Sequence, residues 1–172
     1  GHFADVLAVA SSNANTDVAM MGATFQKVAP VAGALGYSVE DMSLGIGLMA
    51  NASIKAEVAG TSLKTALSNM AKPTKQMKAY MDKYGISLTN TDGSMKSFAE
   101  VVDNLRNSLG GLSQVEQVAA ATAIFGKESY AGMLAIVNAS EEDFNKLSDS
   151  VNNAKGAAER MAAIKLDNLE GD

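Results

Sequence analysis

The chain has 172 residues, a formal net charge of −5, no cysteine, 47% hydrophobic residues, only 5% aromatics and ten methionines. That length suits one domain or two small ones, and the absence of cysteine excludes disulfides, thiolate nucleophiles and thiolate metal sites. Dispersed Lys and Arg in an acidic chain argue against a protein that works on nucleic-acid phosphate, where counterion release needs clustered cations, and no direct nucleic-acid site is read. The core must be built from Ala, Leu, Val and Met, with Met filling irregular gaps.

Gly1 and His2 stand where an initiator Met is expected and read as a tag scar, so the chain is expected to begin inside a longer protein. Phe3 to Ala10 reads as the end of a helix, broken by Ser11-Ser12-Asn13. Asn15 or Thr16 caps the next helix, because a short side-chain oxygen can accept from an orphan backbone N–H. Its apolar face is Met21, Phe25, Val28 and Ala32 at helical spacing. Pro30 lacks a backbone donor and predicts a kink or break near Ala29. Gly36 is a left-handed stop.

Ser38 with Asp41 forms a short capping box. The helix it opens carries Val39, Met42, Ile46 and Met49 on one face. Gly45 and Gly47 inside it each cost about 1 kcal/mol relative to Ala, which suggests the backbone of another helix packed closely there; a frayed or bent helix is the plainer alternative. Asn51-Ala52-Ser53 is a short connection. The next helix covers about Ile54 to Ala71 and buries Leu63, Ala66, Leu67 and Met70. Pro73 ends it, and Thr74 caps a helix facing inward with Met77, Tyr80, Met81 and Tyr84, closed by Gly85.

Residues 86–95 do not read as helix. Ile86-Ser87-Leu88-Thr89 alternates with period two, and Asp92-Gly93 is a turn signal, so an extended loop or tiny hairpin is expected. Asn90 to Ser94 resembles a calcium loop only superficially: the glycine comes too early and no Glu closes it.

Ser97 with Glu100 is a full capping box opening the clearest amphipathic helix: Phe98, Val101, Val102, Leu105 and Leu109. Gly110-Gly111 stops it, and Ser113 with Glu116 reads as a second full box, so a helical hairpin is expected. An Ala-rich helix then reaches Ile124-Phe125. Glu128 to Ala139 forms the next, with Met133, Ile136 and Val137 inward. Ser140 starts another that buries Phe144, Leu147 and Val151. A more polar helix, 154–169, carries Met161 and Ile164. The fold class is therefore all-α: an array of roughly eight to ten short helices with helical hairpins, without a fixed repeat or sustained heptads. No apolar run reaches the ~18–20 residues that span a bilayer.

Candidate chemistry is sparse. His2, the only His, lies in the suspected scar, which removes Ser-His-Asp chemistry and most zinc sites. Glu57, Glu100 and Glu116 are the carboxylates a glycosidase reading would recruit, but their positions are those of caps and first helical turns. Gly45-Ile46-Gly47 lacks the strand and the Lys-Ser/Thr of a phosphate loop. The methionines (Met20, Met21, Met42, Met49, Met70, Met77, Met81) could line an adaptable groove, but their spacing favours core packing. Lys72, Lys75 and Lys78 read as a solvated helix face. No catalytic, cofactor-binding or metal-binding residue is assigned.

VAPVAGALGYSVED (28–41), GLMANASIKAEVAGTSLKTALSNMAKPTKQM (47–77), YGISLTNTDGSMKS (84–97) and ATAIFGKESYAGMLAIVNASEEDFNKL (121–147) together resemble the conserved region of phage tail tape measure proteins, the phage minor tail protein family. The chain departs from that pattern at Ser53 and Ala56, where the family often has glycine. The resemblance implies a helical tape-measure domain over 3–153, with 154–172 leading into the rest of a parent chain. It implies a non-enzymatic virion component of a phage, prophage or phage-tail-like particle. Such a component sits in the tail tube lumen after assembly in the host cytoplasm, acts in assembly and length determination, and contributes to genome ejection. Implied partners are the tail tube protein, tail assembly chaperones and tail tip or baseplate proteins. Self-association is compatible with it, and membrane contact is expected only during ejection. No cofactor is implied. The competing readings are a muralytic enzyme domain, which needs a cleft with a partly buried carboxylate, and a membrane-active segment, which predicts liposome leakage.

Overall fold

The computed structural model describes residues 3–6 and 18–153. After a helical turn at 3–6 come α1 (Val18–Leu35), α2 (Val39–Asn51), α3 (Ala56–Ala71), α4 (Lys75–Tyr84), α5 (Phe98–Leu109), α6 (Gln114–Phe125) and α7 (Tyr130–Val137). A last helix, α8, covers 141–153. Among the described residues there is no strand beyond one antiparallel bridge, Thr89 to Met95. The expected caps at Asn15 or Thr16, the tail helix 154–169 and the side chains of Met20 and Met21 lie outside the described residues.

The local start signals act as read. Ser38 and Asp41 exchange both bonds of a capping box, Asp41 N–H to Ser38 Oγ at 3.1 Å and Ser38 N–H to Asp41 Oδ2 at 3.0 Å. Ser97 and Glu100 do the same, and Thr74 Oγ1 accepts from Met77 N–H. Ser113 forms only half a box: it accepts from Glu116 N–H, but the reciprocal bond is not made.

The stops share one geometry. After α1, Tyr37 N–H donates to Ala32 O and Gly36 N–H to Gly33 O. After α4, Ile86 N–H donates to Met81 O and Gly85 N–H to Asp82 O. These are Schellman closures, which need a left-handed residue, and Gly36 and Gly85 have φ of 80° and 68°. After α2 the same pair of bonds forms (Ile54 N–H to Met49 O, Ser53 N–H to Ala50 O). There the left-handed residue is Ser53, φ 64°, the only described non-glycine residue at positive φ.

Helix α2 lies at the centre. Every residue from Met42 to Ala50 is buried, so the expected single apolar face is instead a helix enclosed on all sides, as all-round small and apolar residues permit. α1, α3 and α7 pack around it. A Cβ on Gly45 would lie 3.3 Å from Leu63 Cδ2 and from Phe98 Cζ; side chains, not a neighbouring helix backbone, fill the space there. Close backbone approach occurs instead at Gly60 of α3, where a Cβ would lie 3.1 Å from Thr24 O of α1. At Gly132 of α7 the tight neighbours are again side chains: a Cβ would lie 2.9 Å from both Cβ and Oγ of Ser62 and 3.2 Å from Met49 Sδ. The most extensive packing between described helices is that of α1 with α3, which are not chain neighbours. Ser43 and Ser62 are fully buried with hydroxyls that no protein group bonds, at a desolvation cost of roughly 1–3 kcal/mol each; the small Ser62 side chain admits the contact with Gly132.

Other readings are corrected. α1 runs unbroken through Pro30. Pro30 and Gln26, whose carbonyl loses its donor, are both exposed, so water can take the freed acceptor. α3 begins at Ala56 rather than Ile54, because Ile54 closes the preceding Schellman motif. α7 begins at Tyr130 rather than Glu128, because Lys127 to Ser129 form a turn. α5 and α6 meet at a tight turn but splay apart instead of packing as a hairpin; the buried side of α6 (Gln117, Ala120, Ala121, Ile124, Phe125) turns toward α3, α4 and α7.

The inward faces of α3, α5 and α7 are as expected: Leu63, Ala66, Leu67 and Met70; Phe98, Val101, Val102, Leu105 and Leu109; Met133, Ile136 and Val137 are all buried. Leu147 and Val151 of α8 are buried, and Phe144 is half-buried under the Arg106 guanidinium, 5.0 Å from the ring centroid. Ile86 and Leu88 are buried while Thr89 is exposed, so the tiny hairpin keeps its period-two pattern. Asn90 N–H bonds Ser94 O and Lys96 N–H bonds Leu88 O across it, at 2.8 Å each. One core runs from Val6 to Val151 and includes Met42, Met49, Met70, Met81 and Met133.

Candidate functional site

Carboxylates are where acid–base chemistry would have to begin, and the structure keeps the three candidates apart in separate structural tasks. Glu57 is exposed in the first turn of α3, 3.6 Å from Lys27 Nζ. Glu100 faces solvent, and hydrogen bonds from the Ser97 backbone and hydroxyl hold its carboxyl below the usual range. Glu116 is exposed beside the Ser113 cap. Glu40 and Asp41 do share the lining of a recess of about 70 Å³ with Ser148 and Asn152. Asp41 is committed there to its capping box, and Glu40 is also engaged. Among the described residues no three His, Cys, Asp or Glu side chains gather to hold a metal ion. Asp92, in the loop with a superficial likeness to a calcium site, accepts from the Ser94 hydroxyl and N–H, which lower its pKa. Lys72, Lys75 and Lys78 are exposed, and Lys78 pairs with Asp82 at 3.3 Å.

The polar groups that matter most were not singled out by the sequence. They hold helix ends from a distance, where the last carbonyls lack intrahelical donors. Asn69 Nδ2 donates to Ile124 O at the end of α6. Arg106 Nη1 donates to Ile136 O at 2.8 Å at the end of α7. Gln117 Nε2 donates to Leu109 O at the end of α5 and pairs reciprocally with Asn138 at 3.0 Å. Asn104 donates to Gly85 O and accepts from Ser87 N–H, fixing the start of the hairpin. These groups knit short helices into one body.

Two further recesses lie among the described residues. One of about 230 Å³ lies where α2 and α7 end and α8 begins, lined by Leu48, Asn51, Ala52, Ala135, Ala139 and Asp143 among others. Another, about 440 Å³, follows the outer side of the hairpin from Met81 to Lys96.

Residues 1–126 match the family model described as phage-related minor tail protein. The chain belongs to that family. It is 39% identical over 169 residues to the "Tape measure protein" of Pneumococcus phage Dp-1, covering 98% of this chain and 15% of that protein. It is 27% identical over 177 residues to the "Probable tape measure protein" of Escherichia phage P2, covering 99% of this chain and 21% of that protein. The chain thus spans about a fifth or less of the length of these relatives. No solved structure matches it. The family is one of phage tail structural proteins.

Proposed function

We propose that this chain is a non-enzymatic structural module of a tail tape measure protein, acting in tail assembly and length determination and in genome ejection. The observation that carries the reading is the 39% identity to a tape measure protein across 98% of the chain. Residues 3–153 form the module, and 154–172 lead into the rest of the parent chain. In the virion it lies in the tail tube lumen, having met the assembly chaperones in the host cytoplasm, and it contacts the tail tube protein and the tail tip or baseplate. The module works as a folded body. Its core is continuous, its central helix is enclosed, and its helix ends are held by side chains from other helices, so opening it would expose all of these together. No described helix is long and apolar enough to cross a membrane.

Cross-linking mass spectrometry on intact Pneumococcus phage Dp-1 particles tests this. Cross-links from the matching region of its tape measure protein to the tail tube or tip protein are expected. Absence of that region from the particle, or cleavage of peptidoglycan by this purified chain in a zymogram, would overturn the proposal.

A further inference from the structure

The charges of the described residues are sorted by sign. From Ile54 to Tyr84 six lysines stand against Glu57 and Asp82, and all six (Lys55, Lys64, Lys72, Lys75, Lys78 and Lys83) are exposed. From Phe98 to Asn153 eight carboxylates, all exposed, stand against Arg106, Lys127 and Lys146. Arg106 is committed to the carbonyls that end α7. The lysines ride on α3 and α4. α5 and α8 lie side by side and antiparallel, since Ala99 shares a recess with Val151 and Asn152 while the Arg106 guanidinium lies over the Phe144 ring. Helix dipoles leave this sorting intact: the opposed ends of α5 and α8 offset each other, and so do the end of α3 and the start of α4, which meet across Lys72 to Thr74. Glu100 and the three acids at 141–143 serve first turns, but Asp103 and Asp149 lie beyond the first turn and face solvent. The ion pairs of the described residues do not join the two sets: they are Lys27 with Glu57 and Lys78 with Asp82.

We propose that the lysine face of α3 and α4 docks on the carboxylate face of α5 and α8 of a second copy of this chain. Lys72 and Lys75, at the corner between α3 and α4, meet Asp103 and Asp149. One exposed ion pair contributes little, but complementary faces steer encounter and fix orientation, and this chain carries both faces itself. The joined surfaces differ, so the contact is heterologous, and each docked pair still offers one free face of each sign. Nucleic acid is the other polyanion that such lysines could meet, and a net charge of −5 repels it.

The test is sedimentation velocity on the 172-residue chain as salt is raised from about 0.01 M to about 1 M, which shortens the screening length from about 30 Å to about 3 Å. The expected result is reversible association at low salt that weakens on the order of ten-fold across this range. Lys72→Glu with Lys75→Glu, and separately Asp103→Lys with Asp149→Lys, should each weaken low-salt association by about three- to thirty-fold, the range for two exposed ion pairs. An equimolar mixture of the two double variants should recover it, because each keeps the face that the other lacks. All four positions are exposed, and circular dichroism shows directly that each variant is folded. A chain that stays monomeric at low salt, association that salt does not weaken, or a mixture that recovers nothing overturns the proposal. So does a short DNA duplex that binds the wild-type chain more tightly than a second copy does and is released by the two lysine substitutions, since the partner would then be nucleic acid.

Discussion

Replacing Gly132 by Ala tests the helix packing most sharply when set beside the same change at Gly33. Both glycines lie within helices, where Ala is favoured by about 0.8–1.0 kcal/mol. At Gly33 an added Cβ meets nothing within 4 Å, so Gly33→Ala should stabilise by up to about 1 kcal/mol. At Gly132 the Cβ would lie 2.9 Å from Ser62 Cβ, an atom rooted on the α3 backbone that cannot swing away. α7 must therefore shift from α3, and overpacking of this kind costs about 1–3 kcal/mol. Taking the upper part of that range, because the contact is with a side-chain root, the net change is about 1–2 kcal/mol destabilising. Urea unfolding reads this directly. With a slope of about 2 kcal/mol/M, the midpoint should fall by about 0.5–1 M for Gly132→Ala and rise by up to about 0.5 M for Gly33→Ala, with unchanged slope. Equal stabilisation by both substitutions would refute the close approach of α7 to α3.

Ser53→Gly should raise stability by roughly 0.5–1 kcal/mol, because the left-handed position after α2 suits glycine; a fall in the urea midpoint would contradict the φ of 64°. Arg106→Met keeps a stem against Phe144 but removes the donor to Ile136 O and Val137 O. It should cost about 1.5–3 kcal/mol, the range for hydrogen bonds from a charged group, read as a lower thermal midpoint. Burial, and then the nearby Asp41, raise the Tyr37 pKa above 10.0. The stability this contributes is fully present below pH 10 and is lost as pH rises through the higher folded value, so Tyr37→Phe should flatten the decline above pH 10. An unchanged alkaline decline in the variant would count against it.

Elements set by near neighbours in sequence were legible. The boxes at Ser38 and Ser97, the cap at Thr74, the stops at Gly36 and Gly85 and the inward face of α5 each depend on residues within about two turns. Ser53 carries no stop signal of its own, since serine is not a usual left-handed residue, and its positive φ follows from the Schellman closure after α2. What escaped the sequence is non-local. The enclosure of α2 depends on which helices surround it, and a glycine within a helix, such as Gly60 or Gly132, reads only as a propensity cost until its neighbour is known. The helix-end donors Asn69 and Arg106 reach carbonyls 55 and 30 residues away, and nothing in their local pattern marks them. The recess beside Asp143 is likewise assembled from residues 48–52 and 135–143, segments that carry ordinary helix-end and cap signatures.

The central claim, that the module works in the tail as a folded body, is tested most directly by tail length. A compact chain of 172 residues has a radius of gyration of roughly 16 Å, hence a diameter of about 40 Å. The same chain as one continuous helix would span about 260 Å. Duplicating the matching region in tandem within the tape measure protein of Pneumococcus phage Dp-1 retains a working copy, and electron microscopy then measures the tails. A folded module predicts lengthening by no more than about 40 Å; tails longer by about 260 Å would show that the segment lies extended and would contradict the account.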